Sequence, residues 1–389
     1  MSHRRHSHSR RFRSTVGVFT SARRGLTRID CLVLMLLCTT MTGCFFGAMN
    51  AARETGRQNT CRNNLSNLAR AAFSNSNRNG GRLPGYMNLL DVDNDLKVIV
   101  PYKDPLTQTL TPVSWAVMIL PDIDRQVLFD QWQKTSANAP ADAGAPPSNV
   151  VVNTKLYIDL FVCPSDPASS TTGTPISYVP NTGMKDLVSA VPPPKDATGA
   201  AARGKPRDWQ ANGVFFDNYS DHEVIKTDAA TRGPMTIMRM EMVRDPKDKT
   251  VMFTENVDAG NYTFDSNGPG GTTFTTAEVE TGSIYEPGPT TLTAGRPITK
   301  PSGVLEINAE VGRGDGIDPK YCRPSSRHPG GVNVAFVGQN IQFLRENVDY
   351  FVWCKLMASE DSQMKTPGTD NLADAALRQY QMMDADIVP

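Results

Sequence analysis

Few residues of this chain have the type and spacing that catalysis requires. Beyond the first 25 residues the only histidines are His222 and His328. His328 precedes a tight turn, so its ring could bind a metal, carry a proton or hydrogen-bond within that turn. The sequence contains no HExxH, GxSxG or Walker-type phosphate loop, which argues against the common hydrolases and nucleotide-binding enzymes. We therefore predict no catalytic residues and a protein that is not an enzyme.

Two acidic clusters have the oxygen ligands that calcium prefers. The first contains Asp91, Asp93 and Asp95, and the second contains Asp315 and Asp318. The first cluster begins like an EF-hand loop but has leucine where that loop needs glycine. Acidic surface turns explain both clusters better, so we predict no metal or cofactor and keep calcium as the alternative.

Seven cysteines are divided between two parts of the chain. Three of them lie at positions 31, 38 and 44, within an apolar segment, and the other four are Cys61, Cys163, Cys322 and Cys354. Four cysteines permit three complete disulfide pairings, which spacing alone does not distinguish. The absence of CxxC and CxxH spacings argues against a structural zinc site.

The N-terminal region predicts a membrane anchor. Residues 1–25 contain seven arginines, three histidines and no acid, and residues 31–49 carry no charge. As a helix rising about 1.5 Å per residue, this apolar segment could cross a bilayer core of about 30 Å. A basic flank before such a segment predicts a single-pass inner-membrane protein with a cytoplasmic N-terminus and an extracytoplasmic C-terminal domain. The chain has no net charge, so nucleic acid is not a predicted partner.

The remaining sequence predicts an α+β fold. The apolar pattern over 50–73 is typical of an amphipathic helix, which should end in the Asn- and Gly-rich segment 74–81. We predict a basic leader (1–25), a long helix (26–80), a β-rich domain with long loops (81–358) and a polar tail (359–389). The tail should be poorly ordered except for a helix over 371–383. The predicted strands are 96–100, 113–120, 155–162, 213–216, 235–238, 250–255, 332–337 and 341–344. Long loops are expected over 135–149, 190–206 and 258–303, and the last of these could contain a hairpin.

The junction between the basic leader and the apolar segment resembles the prepilin cleavage and methylation motif of type IV pilins and type II secretion pseudopilins. Gly25-Leu26 matches the cleavage site, and Asp30 stands where that family usually has glutamate. The resemblance implies cleavage by a prepilin peptidase and methylation of the new N-terminus. It also implies that Asp30 pairs with the N-terminus of a neighbouring pilin-like subunit during assembly.

Two other fates of the N-terminus remain open. Met41-Thr42-Gly43-Cys44 resembles a lipobox, which would place a lipid on Cys44 after signal-peptide cleavage. Alternatively, the apolar segment is an uncleaved signal anchor.

Several separated motifs resemble a narrower family, the DUF1559 proteins, which are exported proteins numerous in planctomycete bacteria. The resemblance rests on four parts of the chain. They are the segment 51–68, a Ser-Trp pair at 114–115, a Cys-Pro-Ser-Asp turn at 163–166 and a His-Pro-Gly-Gly segment within 326–336. The residues of the last two motifs are Cys163, Pro164, Asp166, His328, Pro329, Gly330, Gly331 and Asn333. Family members join a prepilin-like N-terminus to a β-rich, pilin-like domain. Because Cys163 and Cys322 each lie beside a family motif, we predict that they form a disulfide.

The resemblance implies a structural or assembly protein, such as a pseudopilin-like subunit of a type II secretion-like or pilus-like system. The alternative is a tethered extracytoplasmic module that binds a ligand such as a glycan. Exposed aromatic side chains on loops would favour that alternative, and the candidates are Trp209, Tyr262 and Tyr285.

Overall fold

The fold is taken from a computed structural model of the 389-residue chain. It describes residues 27–90, 112–130, 157–166, 174–185, 208–220, 234–263, 278, 281–293, 296–301, 305–309, 321–367, 371–373 and 375–379. The side chains of 42–48, 288–293, 296–301 and 376 are outside this description. The chain divides into two compact units, Met1–Arg53 and Glu54–Pro389.

The longest element is helix α1, Arg28–Arg78. Its first turn has a reciprocal cap: the Thr27 N–H and hydroxyl both donate to the Asp30 carboxylate, and the Asp30 N–H donates to the Thr27 hydroxyl at 3.2 Å. The helix contains no proline, and it ends before Gly80 and Gly81, whose positive φ angles only glycine adopts readily. The long helix and its end within 74–81 are therefore confirmed.

Within the first unit, α1 presents bare apolar side chains. Eight large residues have exposures between 50 % and 72 %. They are Ile29, Leu32, Val33, Leu34, Met35, Leu36, Leu37 and Met41. Six of them are consecutive, so they surround the helix and do not form a single stripe.

In the part of the chain that the structure describes, we find no helix with the length and apolar character needed to cross a membrane. This finding does not support the predicted span over 31–49, which stays a prediction.

Within the second unit, α1 packs one face into the domain. Cys61, Leu65, Leu68, Ala69 and Ala72 lie on this face, and all are fully buried. Their spacing of three and four residues places them on one side of a helix, as the sequence predicted for the four that follow Cys61. Ala51, Ala52 and Phe73 also belong to the predicted pattern, but they are exposed. This packing holds the helix against a β-sheet.

The strands form three sheets among the described residues. The strands are β1 Met87–Asn88, β2 Val113–Ser114, β3 Tyr178–Met184, β4 Asp217–Asn218, β5 Val251–Glu255, β6 Ser283–Tyr285, β7 Pro287–Thr293, β8 Arg296–Pro301, β9 Gly331–Phe336 and β10 Ile341–Arg345. The central sheet has the order β10-β9-β5-β3-β6, in which only the β3–β6 pair is parallel. A second sheet has the order β2-β1-β4, and β7 and β8 form an antiparallel hairpin.

The central sheet separates two hydrophobic cores. Phe253 and Ala335 point toward the α1 core, which also contains Trp115 and Phe161. Alternate residues of β9 (Val332, Val334 and Phe336) belong to the second core, with helix α3, Tyr350–Met357. Because both faces of β5 and β9 are covered, every residue of these two strands is buried.

Three predicted strands are confirmed, and several are wrong. The confirmed strands are β5, β9 and β10, and the last two form the predicted hairpin, which turns at Gln339 with φ 67°. The segment 113–120 has only a two-residue strand before helix α2, Trp115–Met118, and 159–161 is a 3₁₀ turn. Segments 213–216 and 235–238 are irregular. A short apolar run can form a strand, a helical turn or an irregular segment, because each of these can be buried. Without alternation of apolar and polar residues, the run does not identify a strand.

The expectation of a poorly ordered tail is wrong for part of 359–389. Met364 and Leu377 are fully buried in the second core. A short helix, α4 Ala375–Gln379, lies within the predicted 371–383 segment. The Lys355 ammonium donates to the carbonyl of Leu377 at 3.1 Å, which ties this segment to α3.

We expect Gly331→Ala to lower the free energy of unfolding by about 3 kcal/mol, because added bulk in a packed site is poorly tolerated. A Cβ at Gly331 would clash with the backbone oxygen of Leu344 and would push β9 away from β10. Gly56→Ala is the control, since a Cβ there meets nothing within 4 Å and the position is helical. This control should instead raise stability by about 0.5–1 kcal/mol. Urea unfolding of both variants checks the prediction, and equal effects would contradict it.

Candidate functional site

The candidate site is a group of five residues on the α1 side of the central sheet, called here the His328 cluster. It consists of Glu54, Cys61, Cys163, Glu255 and His328. Glu54 and Cys61 belong to α1, Cys163 precedes a turn, Glu255 ends β5, and His328 lies in the turn before β9. The fold therefore brings together residues that are far apart in the sequence.

His328 lies at the centre of this cluster. Its Nδ1 is 2.7 Å from Glu54 Oε1, and its Nε2 is 3.2 Å from Glu255 Oε1. Nε2 is also 3.4 Å from the sulfur of Cys163. The His328 side chain is 1 % exposed, whereas that of Glu54 is 27 % exposed. The ring thus contacts two carboxylates from different elements, and the interpretation that it hydrogen-bonds the turn is wrong.

The backbone around His328 is fixed by a serine. The Ser326 hydroxyl accepts from the His328 N–H at 3.0 Å and donates to the carbonyl of Gly331 at 2.6 Å. These bonds hold the Pro329-Gly330 turn closed and aim the imidazole toward α1. Pro329 and Gly330 themselves are exposed.

Glu255 is a buried carboxylate, and each of its two oxygens has a hydrogen-bond donor. Asn333 donates to it twice, from its backbone N–H at 2.7 Å and from its side-chain amide at 3.0 Å. Asn333 thus has a defined role in the His-Pro-Gly-Gly motif, because it anchors the acid that faces His328. Such bonds reduce the cost of burying a charge.

The charges around His328 favour its protonated form. Burial opposes protonation, but the hydrogen bonds and negative charges of Glu255 and Glu54 outweigh burial and raise the pKa of His328 above its ordinary value. For Glu54, burial acts to raise the pKa, but the bonds from His328 and Ser165 prevail and lower it. Both carboxylates therefore make protonation of the His328 ring easier than in a free imidazole.

The disulfide differs from the prediction. Cys163 pairs with Cys61, across a separation of 102 residues, and not with Cys322. Cys322 is a buried free thiol whose Sγ donates to the carbonyls of Glu278 and Gly282. Proximity to a family motif was a poor guide, because packing of α1 on the sheet decides which sulfurs meet.

The two family motifs contact each other. Asp166 of the Cys-Pro-Ser-Asp turn accepts from the Ser177 hydroxyl at 3.0 Å and lies 3.4 Å from Nε of Arg327. Ser165 of the same turn donates to Glu54 at 2.8 Å. Pro164 is exposed. The motif residues therefore form one connected polar network beside the disulfide.

Sequence reasoning missed Glu54, Cys61 as the disulfide partner, and Glu255. Glu54 looks like an ordinary helix-surface acid, and Cys61 has no local motif. Glu255 gives one signal in the sequence, since it is the only charged residue of the predicted strand 250–255 and lies at its end. A charge in that position indicates either a strand end or a buried, partnered group.

Several predicted site residues cannot be compared with the fold. Three sets of residues lie outside the described part of the chain. They are Gly25 and Leu26 of the cleavage site, the two acidic clusters proposed for calcium (Asp91, Asp93 and Asp95; Asp315 and Asp318), and His222. Cys44 lies in α1, but its side chain is not among those described. The predictions that rest on them stay predictions.

The aromatic residues that favoured a ligand-binding module are not exposed. Tyr262 and Tyr285 are fully buried. Trp209 is partly buried beneath the Lys365 ammonium, which lies 4.0 Å from the ring centroid. Buried tyrosines supply packing, not a recognition surface, so this support for ligand binding is lost.

The family of the chain follows from a comparison with family models. The model described as a protein of unknown function (DUF1559) matches residues 50–350. Because the match covers well over half of the 389 residues, the chain belongs to the DUF1559 family. The matched range includes all five residues of the His328 cluster, whereas Gly25, Leu26 and Asp30 precede it. No curated protein and no solved structure matches the chain.

Proposed function

We propose that this protein is a membrane-anchored, pseudopilin-like assembly subunit that exposes its β-rich domain outside the cytoplasm. The observation that carries this proposal is the set of bare apolar side chains around the N-terminal part of α1. A helix that is apolar all round requires an apolar environment on every side. A bilayer and the helices of neighbouring subunits both provide one.

The charge pattern gives the proposed orientation. The leader before α1 is basic and free of acids. Such a flank is retained in the cytoplasm, which places the domain that follows α1 on the opposite side. The second unit then stands outside the membrane, where disulfides such as Cys61–Cys163 persist.

Asp30 has two roles in this proposal. Within the chain it closes the first turn of α1 with Thr27. During assembly, its carboxylate would pair with the amino terminus of a neighbouring subunit after cleavage at Gly25-Leu26. A carboxylate near the membrane needs such a partner, because an unpaired charge in hydrocarbon costs several kcal/mol.

N-terminal sequencing and the intact mass of protein from its native membrane test the anchoring step. We expect a methylated N-terminus at Leu26. A lipidated Cys44 or an intact Met1 would reject the prepilin pathway and leave a lipoprotein or a plain signal anchor.

The assembly step is tested by cross-linking subunits in membranes that contain either Asp30→Ala or Thr27→Ala. Thr27→Ala is the matched control, since it removes the capping hydroxyl but keeps the carboxylate. We expect Asp30→Ala to lose the cross-linked species while membrane insertion is unchanged, and Thr27→Ala to retain them. Equal loss in both variants would mean that Asp30 acts only as a helix cap, and unchanged assembly in Asp30→Ala would reject its pairing role.

A further inference from the structure

Four potential metal ligands meet within the His328 cluster. One donor atom from each of Cys61, Cys163, Glu255 and His328 lies within 4.8 Å of the other three, and all four residues are buried. Two thiolates, an imidazole and a carboxylate form a four-ligand set of the kind that zinc binds tetrahedrally. We propose that, when the Cys61–Cys163 disulfide is reduced, these four side chains bind one zinc ion. The site lies entirely within Glu54–Pro389 and does not depend on how the chain is anchored.

The surroundings of the four ligands fit a metal site. A histidine that binds metal through Nε2 usually donates its other ring N–H to a carboxylate, which fixes the tautomer and the ring plane. Glu54 Oε1 lies 2.7 Å from His328 Nδ1 in that position, and it is itself held by the Ser165 hydroxyl. Glu255 is likewise oriented by two bonds from Asn333. These second-layer contacts are already in place in the disulfide form.

The chemistry of the exchange balances with a dithiol as reductant. The dithiol supplies two electrons and two protons, the S–S bond of Cys61–Cys163 breaks to give two thiols, and the reductant becomes a disulfide. Zinc then displaces the two thiol protons and, from a protonated His328, the proton on Nε2. The neutral ring and the Glu255 carboxylate complete the coordination. Since Glu54 is partly exposed, the cluster lies one side chain below the surface.

The free thiols provide an internal control. Cys322 and Cys354 are buried in the second core, on the opposite side of the sheet from the His328 cluster. Among the described residues, neither of these thiols belongs to a group of three or more potential metal ligands. Metal bound through sulfur in the folded protein should therefore involve Cys61 and Cys163.

The experiment uses the full chain, reduced with dithiothreitol, freed of reductant under anaerobic conditions, and titrated with Zn²⁺ or Co²⁺. We expect one ion per chain, a thiolate-to-cobalt absorption band, and a zinc X-ray absorption spectrum with two sulfur and two nitrogen or oxygen neighbours. The oxidised protein should show no such band. Because this spectrum needs no variant, it decides the proposal even where a substitution fails to fold.

Two sets of variants sharpen the test. Cys322→Ala with Cys354→Ala should leave the metal spectrum unchanged. Glu54→Gln keeps all four ligands but removes the carboxylate behind His328, so we expect about 10–100-fold weaker binding. Three results would overturn the proposal. They are a coordination shell of four sulfurs, loss of binding in the Cys322→Ala, Cys354→Ala protein, and no stoichiometric binding to a reduced protein that retains its circular dichroism. Loss of the folded spectrum on reduction, with no recovery on zinc addition, would overturn it as well.

Discussion

Arg323→Met is expected to lower the free energy of unfolding by about 3–5 kcal/mol, because it removes one partner of a buried ion pair while the Asp258 carboxylate stays buried. The guanidinium Nη2 lies 3.3 Å from Asp258 Oδ2, and the two side chains are 0 % and 2 % exposed. The guanidinium also lies 5.6 Å from the centroid of the Tyr321 ring, so methionine loses a cation–π contact as well. Equilibrium unfolding in urea measures the effect.

Lys185→Met is the matched control for Arg323→Met. Lys185 and Glu286 are 3.1 Å apart, but each side chain is about one-third exposed. An exposed pair of this kind contributes about 0–1 kcal/mol. Arg323→Met combined with Asp258→Asn should recover much of the lost stability, since it removes both charges. If Arg323→Met lowers the free energy of unfolding no more than Lys185→Met does, the prediction is wrong and the buried pair contributes no more to stability than the exposed pair.

Replacement of both Cys61 and Cys163 by alanine is expected to lower the free energy of unfolding by about 4 kcal/mol. The disulfide closes a loop across 102 residues, and a loop of this size restricts the unfolded chain strongly. Both sulfurs lie in the α1 core, so the substitution also removes packing. Urea unfolding with a chelator present, with and without reductant, measures the effect and excludes any contribution from bound metal.

The response to reductant separates the disulfide from simple packing. The natural protein should lose stability in reductant, whereas the Cys61→Ala, Cys163→Ala protein should not respond. The Cys322→Ala, Cys354→Ala protein should respond as the natural protein does, because both of its substituted thiols are free. A response that follows Cys322 and Cys354 instead would contradict the Cys61–Cys163 pairing.

The elements that were predicted correctly are those with a complete local signal. The end of α1 is indicated by the segment 74–81, which consists of Asn, Ser and Gly apart from Arg78. The β9–β10 hairpin has apolar runs on both sides of a short turn. Trp115 shows the limit of such signals. It lies in an apolar run that reads as a strand, yet its ring packs against Phe161 and Phe253 and its indole N–H donates to the carbonyl of Thr281, which favours a helical turn at that point.

The candidate site was predicted only in part. His328, Asn333 and Asp166 were singled out through family motifs, and all three lie in the polar network beside the disulfide. Glu54 was not found, and Cys61 was not recognised as the partner of Cys163, because their roles arise from the side of α1 that faces the sheet. Which residues of that helix meet which turn depends on long-range packing, and no local pattern encodes the contact between Glu54 and His328.

The cross-link between α1 and the turn at Cys163 has a mechanical consequence. Tension applied to the N-terminal end of α1 would pass through Cys61 into Cys163 and so into the body of the domain. The chain segment between the two cysteines, which are 102 residues apart, would bear none of that tension. Its extended length of about 350 Å therefore could not be pulled out of the fold. Reduction of this one bond would remove the protection and allow the enclosed segment to be extended under load.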